Sequence, residues 1–178
     1  MSGHNKWSKI KNKKAVTDAK KNKIFSKFAK LITVESKNAR GDINSPSLKS
    51  AIDQAKTVNM PLENIQRAVK KGVSDDSVNM ENTTYEAYGP GGCALIIECL
   101  TDNKNRIAAE IRHLLSKNNI PLAGIGSVTW GFEKKENQWF PKTTLPLPDE
   151  DMEKMEVIID ELEDNDDVQA VFTNISEE

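Results

Sequence analysis

The feature that most limits how this chain can fold is a break in its charge at Gly72. Residues 1–72 carry 17 Lys and Arg against 5 Asp and Glu, a net of +12, whereas residues 73–178 carry 8 against 22, a net of −14. The whole chain of 178 residues is nearly neutral, at −2. Such a separation predicts two domains and a polyanionic partner for the first. The expected division is a basic helical domain over residues 1–75 and an acidic domain over residues 76–178.

The positive charge is densest in Ser2–Lys30. This stretch holds Lys6, Lys9, Lys11, Lys13, Lys14, Lys20, Lys21, Lys23, Lys27 and Lys30 against a single acid, Asp18. Residues 2–16 read as an irregular basic arm carrying Trp7. A helix follows, from Thr17 or Asp18 to Ala39, with Gly41 suited to a left-handed stop. Phe25, Phe28, Ala29 and Ile32 fall on one stripe of it. Lys20, Lys23, Lys27 and Lys30 fall about 180° away on the helical wheel. Few acids share that side, so it lacks the i,i+4 Glu–Lys pairs of a merely solvated helix.

Ser45 and Pro46 open a second helix, whose stripe is Leu48, Ala51, Ile52, Ala55 and Val58. A third begins near Met60-Pro61, with the stripe Leu62, Ile65, Ala68 and Val69 and an end at Gly72. Three helices with short connections make a small bundle.

Past a polar linker from Val73 to Thr83, the pattern changes. Gly89–Gly92 reads as a turn and Cys93–Leu100 as a strand. Asp102 or Asn103 can cap a helix over Lys104–Lys117, with Ile107, Ile111, Leu114 and Leu115 inward. Ser127–Phe132 reads as a strand with Val128, Trp130 and Phe132 on one face, so Trp130 reads as a core residue rather than a ligand platform. Gln138–Leu147 reads as an edge strand containing Pro141 and Pro146. A helix from Met152 to Glu163 and a strand from Val168 to Ile175 complete the order β-α-β-β-α-β. The expected fold is therefore α+β: an N-terminal three-helix bundle followed by a ferredoxin-like βαββαβ domain.

Several function classes fall away. No apolar run approaches the roughly 20 residues of a membrane span. The N-terminus has no apolar core of a secretory signal, and its lysines are unlike an arginine-rich transit peptide. Cys93 and Cys99 share one face of one strand about 20 Å apart, too far for a disulfide. Both are expected to be reduced thiols in a cytoplasmic protein. Without a CxxC, His4 and His113 make no zinc motif, and His113 reads as a surface or boundary residue rather than a catalytic one. Gly89–Gly92 lacks the GxxxxGK[ST] pattern and precedes a strand, so it is no phosphate loop. The acidic run Glu163–Asp167 lacks an EF-hand pattern and reads as solvated surface. No GxSxG, HExxH or dinucleotide motif occurs, so neither an enzyme, a cofactor, a metal site nor a small-molecule substrate is expected. A metal-dependent nuclease would rest on carboxylate abundance alone.

The positive signal is nucleic-acid binding. Lysines neutralise phosphates and release counterions whatever the base sequence. The candidate contacts are Lys6, Trp7, Lys9, Lys11, Lys13, Lys14, Lys20, Lys23, Lys27 and Lys30. Trp7 either stacks on an unpaired base or packs on the bundle. Lysine reads base edges poorly, and no helix rich in Arg, Asn or Gln is present to do so. The acidic domain should be repelled by phosphate and is open to a protein partner.

Ser2-Gly-His-Asn-Lys-Trp7, Ile10-Lys11, Asp18 and Ile24-Phe-Ser-Lys27 resemble the opening of the YebC family. Tyr85-Glu-Ala-Tyr-Gly-Pro-Gly-Gly92, Glu98-Cys-Leu-Thr-Asp-Asn103, Asn105-Arg106 and Gly126-Ser-Val128 resemble its second block. Leu162-Glu-Asp-Asn-Asp-Asp-Val-Gln169 resembles its closing block. The resemblance spans nearly the whole chain. It implies a non-enzymatic, cytoplasmic role in gene expression, with the basic domain on the nucleic acid. One implied role is a DNA-binding transcriptional regulator. The other is a ribosome-associated translation factor on ribosomal RNA. Family members usually carry a third domain inserted in the second. Here Glu133 passes through a short turn to Gln138 and on to the closing block, so the inserted domain is expected to be missing.

Overall fold

A computed structural model describes residues 18–74, 79–135 and 138–176. It divides into two compact units, one over Val16–Glu81 and one that includes everything from Asn82 onward.

The first unit is built from α1 (Asp18–Asn38), α2 (Pro46–Thr57) and α3 (Leu62–Gly72). Ile32, Leu48, Ala51, Ala55, Met60, Ile65 and Ala68 form its buried core, with Phe25, Phe28, Ala29, Ile52 and Val58 packed against it. Apart from Met60, which precedes α3, these are residues of the periodic stripes; of the stripe residues, Leu62 is exposed. It is the first residue of α3. Gly41 ends the connection after α1 with φ +80° and donates its amide to the Ser36 carbonyl at 2.8 Å. Gly72 ends α3 as its last helical residue, and it lies against α1. Around it, Ser36 Oγ donates to the Val69 carbonyl at 2.7 Å and Thr33 Oγ1 to that of Ala68 at 3.3 Å.

The second unit contains β1 (Glu81–Tyr88, whose first residue belongs to the other unit), β2 (Ala94–Thr101), α4 (Lys104–Lys117), β3 (Phe132–Lys135), β4 (Gln138–Pro141), α5 (Asp149–Glu163) and β5 (Val168–Thr173). The architecture is α+β. Its main sheet has the order β1-β2-β5, with β2 and β5 antiparallel and a register shift between Glu98 and Cys99. Cys93, Leu95, Ile97 and Cys99 face a core completed by Ile107, Ile111 and Leu115 of α4 and Met155, Ile158 and Leu162 of α5. Asn103 caps α4 by accepting the Arg106 amide at 3.1 Å.

The middle of the domain departs from a single four-stranded sheet. β1 was hidden in the polar stretch before the glycine turn, and β3 pairs with β4 as a separate antiparallel hairpin, Phe132 opposite Pro141. The hairpin and the segment ahead of it supply Val128, Phe132 and Trp139 to a second core with Ala94, Ile96 and Phe172. Both faces of β2 are thereby covered, which is what its unbroken apolar run Ala94–Ile97 requires. Glu98 ties the hairpin to β2, accepting from Lys134 Nζ and Trp139 Nε1, each at 2.8 Å.

Ser127–Gly131 is not a strand. Thr129–Gly131 is a short 3₁₀ turn, and it swings Trp130 outward to 71% exposure. The expectation of a core Trp130 is corrected: Val128 and Phe132 go in, and Trp139 fills the tryptophan's place in the core. The acidic closing loop is structural in part. Asp167 accepts from Arg106 at 2.7 Å and from Thr101 Oγ1 at 2.8 Å.

Candidate nucleic-acid interface

α1 carries four of the candidate lysines on successive turns. Its apolar stripe commits one side to α2 and α3, and the lysines were expected to share the other. Lys20 is exposed, and Lys23 and Lys30 are half-buried. Lys27 is only 5% exposed. The helix is enclosed over more of its circumference than the stripe indicates, since Thr33 and Ser36 are buried too. A long aliphatic stem lets lysine lie along such a covered side. Lys27 therefore does not belong to an open cationic face. Lys6, Trp7, Lys9, Lys11, Lys13 and Lys14 lie outside the described residues.

The basic character does not depend on that arm. Residues 18–72 alone hold 12 Lys and Arg against 5 acids, a net of +7. Two of those acids are taken by neighbours on their own helices, Asp53 by Lys56 at 3.2 Å and Glu63 by Arg67 at 3.0 Å. Helical-wheel reasoning on α1 overlooked exposed Lys21, Lys49 on α2, and Lys70 and Lys71 at the end of α3. The last two stand where the helix dipole favours cations. Position in a final turn was the signal that could have found them.

Among the described residues, no three His, Cys, Asp or Glu side chains group to hold a metal ion. No helix among them is long and apolar enough to cross a membrane.

Residues 5–75 match the family description "TACO1/YebC protein N-terminal domain", and residues 80–137 and 133–175 match "TACO1/YebC second and third domain". The chain belongs to the TACO1/YebC family. A "Probable transcriptional regulatory protein" of Desulfosudis oleivorans is 45% identical over 99% of this chain and 73% of its own length. Another of that name, from Thermoanaerobacter pseudethanolicus, is 39% identical over 98% of this chain and 97% of its own length. The crystal structure of a conserved hypothetical protein from Aquifex aeolicus superposes with a TM-score of 0.82 at 30% identity, covering 97% of this chain and 98% of that one.

The alignment to the Thermoanaerobacter protein runs over 238 positions, against 178 residues here, so at least 60 of its positions have no counterpart. The two pieces matching the second and third domains meet at residues 133–137, within the β3–β4 hairpin. This is a short form of the TACO1/YebC architecture. A tight hairpin stands where the inserted domain would leave the second.

Proposed function

We propose that the protein is a non-enzymatic regulator of gene expression in the cytoplasm, binding duplex DNA through its basic helical unit. The observation that carries this reading is the net charge of +7 within residues 18–72, with Lys20 exposed on α1. Lys23, Lys30, Lys70 and Lys71 extend the contact, and Lys6, Trp7, Lys9, Lys11, Lys13 and Lys14 add to it from the N-terminal arm. The names of the relatives support a transcriptional role. Lysine-dominated binding is strongly salt-dependent and discriminates weakly between base sequences.

The test is selection of bound fragments from a sheared genomic library at physiological salt, followed by affinity measurement on the enriched and on random duplexes. A transcriptional regulator enriches a defined set of fragments. Equal affinity for enriched and random DNA would remove the transcriptional reading. Co-sedimentation with ribosomes through a salt series, in place of DNA selection, would move the partner to ribosomal RNA.

A further inference from the structure

The loop between α4 and the β3–β4 hairpin is held in an unusual way. Glu86 of β1 is 4% exposed, and its carboxylate accepts the backbone amides of Gly126 at 2.7 Å, Val128 at 2.7 Å and Thr129 at 2.9 Å. Gly126 sits at φ +84°, a left-handed turn that lets its amide point inward with the others. The Ser127 carbonyl faces the other way and accepts from both Tyr88 Oη, at 2.6 Å, and Trp130 Nε1, at 2.8 Å. Sharing one acceptor, the polar ends of the two rings lie within about 5.4 Å of each other. Despite these ties the side chains are open: Trp130 is 71%, Tyr88 42% and Ile125 100% exposed.

The backbone held by Glu86 thus displays two aromatic side chains next to each other. Its electrostatics indicate the occupant. Residues 73–178 hold only 8 cations, yet Lys134, Lys135 and Lys142 all fall between residues 134 and 142. Lys134 is balanced by Glu98 and Lys135 by Glu133. Lys142 donates to the backbone carbonyl of Trp130 at 2.8 Å, a neutral acceptor that leaves its charge intact on the turn that displays the indole. An exposed aromatic side chain on a turn that also holds an ammonium fits a nucleobase and a neighbouring phosphate. A duplex shows no unpaired base, so the fitting strand is single.

We propose that Trp130, with Tyr88 beside it and Lys142 on its backbone carbonyl, is a stacking site for an unpaired base of single-stranded nucleic acid. It is a second contact, carried by the acidic domain and separate from the lysines of α1. The proposal deepens the nucleic-acid reading above and rests on it. Stacking engages the base and not the sugar, so the site takes deoxy and ribo strands alike.

The test uses the full chain with fluorescein-labelled 12-mers of one unstructured sequence, as single-stranded DNA, single-stranded RNA and duplex DNA, read by anisotropy. Trp130→Ala is expected to weaken both single strands roughly tenfold. Trp130→Phe should retain most of that affinity, and duplex binding should stay unchanged. Ultraviolet cross-linking of a 5-iodouracil strand to the wild type, mapped by mass spectrometry, should mark Trp130 or Tyr88, which guards against a folding defect in the variants. Single-strand affinity unchanged in Trp130→Ala, or cross-links confined to the helical unit, would overturn the stacking site while leaving the nucleic-acid reading intact. No binding of any oligonucleotide by the wild type would overturn both. A change in sedimentation coefficient on Trp130→Ala without a change in strand affinity would make the patch an interface between copies, and would also overturn the proposal.

Discussion

Glu86 accepts the backbone amide of Val128 at 2.7 Å, joining the end of β1 to a loop some forty residues further on. The same carboxylate takes Gly126 and Thr129, so one buried acid organises the whole turn. Burial by itself would raise its pKa, but the amides of Gly126, Thr129 and Val128, with the Thr129 hydroxyl, outweigh that and hold it below the ordinary carboxylate value. A carboxylate depressed in the folded state contributes stability above its unfolded pKa and loses it as pH falls through the folded value. Glu86→Ala leaves three amides without their acceptor and should cost about 3 kcal/mol in urea unfolding at pH 7. Glu86→Gln should cost less, and its stability should fall less steeply than the wild type's below the ordinary glutamate pKa. Parallel pH profiles for the two proteins would show that the charge on Glu86 is not what holds the loop.

Gly72→Ala tests the seam of the helical bundle. A Cβ at that position would meet the Thr33 carbonyl oxygen at 2.4 Å and Ser36 Cβ at 2.7 Å. Backbone cannot yield as a flexible side chain can, so α1 and α3 must separate. Alanine is the better helix former by about 1 kcal/mol, but overpacking costs about 1–3 kcal/mol and the end of a helix gains little from propensity. The expected net loss is about 2 kcal/mol by urea denaturation. A neutral or stabilising result would mean that the helices part at no cost.

Much of this architecture was legible before any coordinates, and the failures share a cause. The three helical stripes and the α4 and α5 cores follow from apolar spacing, because each helix buries one face. The β1 strand was missed because Glu81–Tyr88 is largely polar and its buried residues, Glu86 and Ala87, sit together at one end. Trp130 was misplaced because Val-x-Trp-x-Phe mimics a strand, whereas Thr129–Gly131 turns locally and reverses the side of one residue. Lys27 and Leu62 were assigned by helical angle alone, which says nothing of how much of a helix its surroundings enclose. The cradle at Glu86 had no local signal at all. A glutamate reveals itself as an amide acceptor only when the chain brings those amides to it.

The two cysteines give a chemical readout of the sheet's inner face. Cys93 and Cys99 are both buried thiols. Burial, chiefly, pushes Cys93 up to about 11. The thiolate is the reactive form, so at pH 7.5 the native protein should react with a thiol reagent far more slowly than the denatured chain, which should yield two equivalents. The folded state keeps the Cys93 proton to higher pH than the unfolded state does. Its contribution is therefore complete below the unfolded pKa of about 9 and declines between there and about 11. Rapid native labelling of Cys93 would mean that β2 opens readily at its glycine-rich end.

Charge reversal on α1 separates phosphate contact from simple solvation. Lys20 is exposed and Lys23 only half-buried, whereas reversing buried Lys27 risks unfolding and would confuse the measurement. Each phosphate neutralised on duplex DNA contributes about 0.9 to the slope of log affinity against log salt. Lys20→Glu combined with Lys23→Glu should flatten that slope by about 2 if both lysines meet phosphate. Affinity should fall at low salt and converge with the wild type at high salt, while the thermal unfolding midpoint stays within a degree or two. An unchanged slope would show that these lysines only solvate the helix, and would leave phosphate contact to the N-terminal arm and to Lys70 and Lys71 of α3.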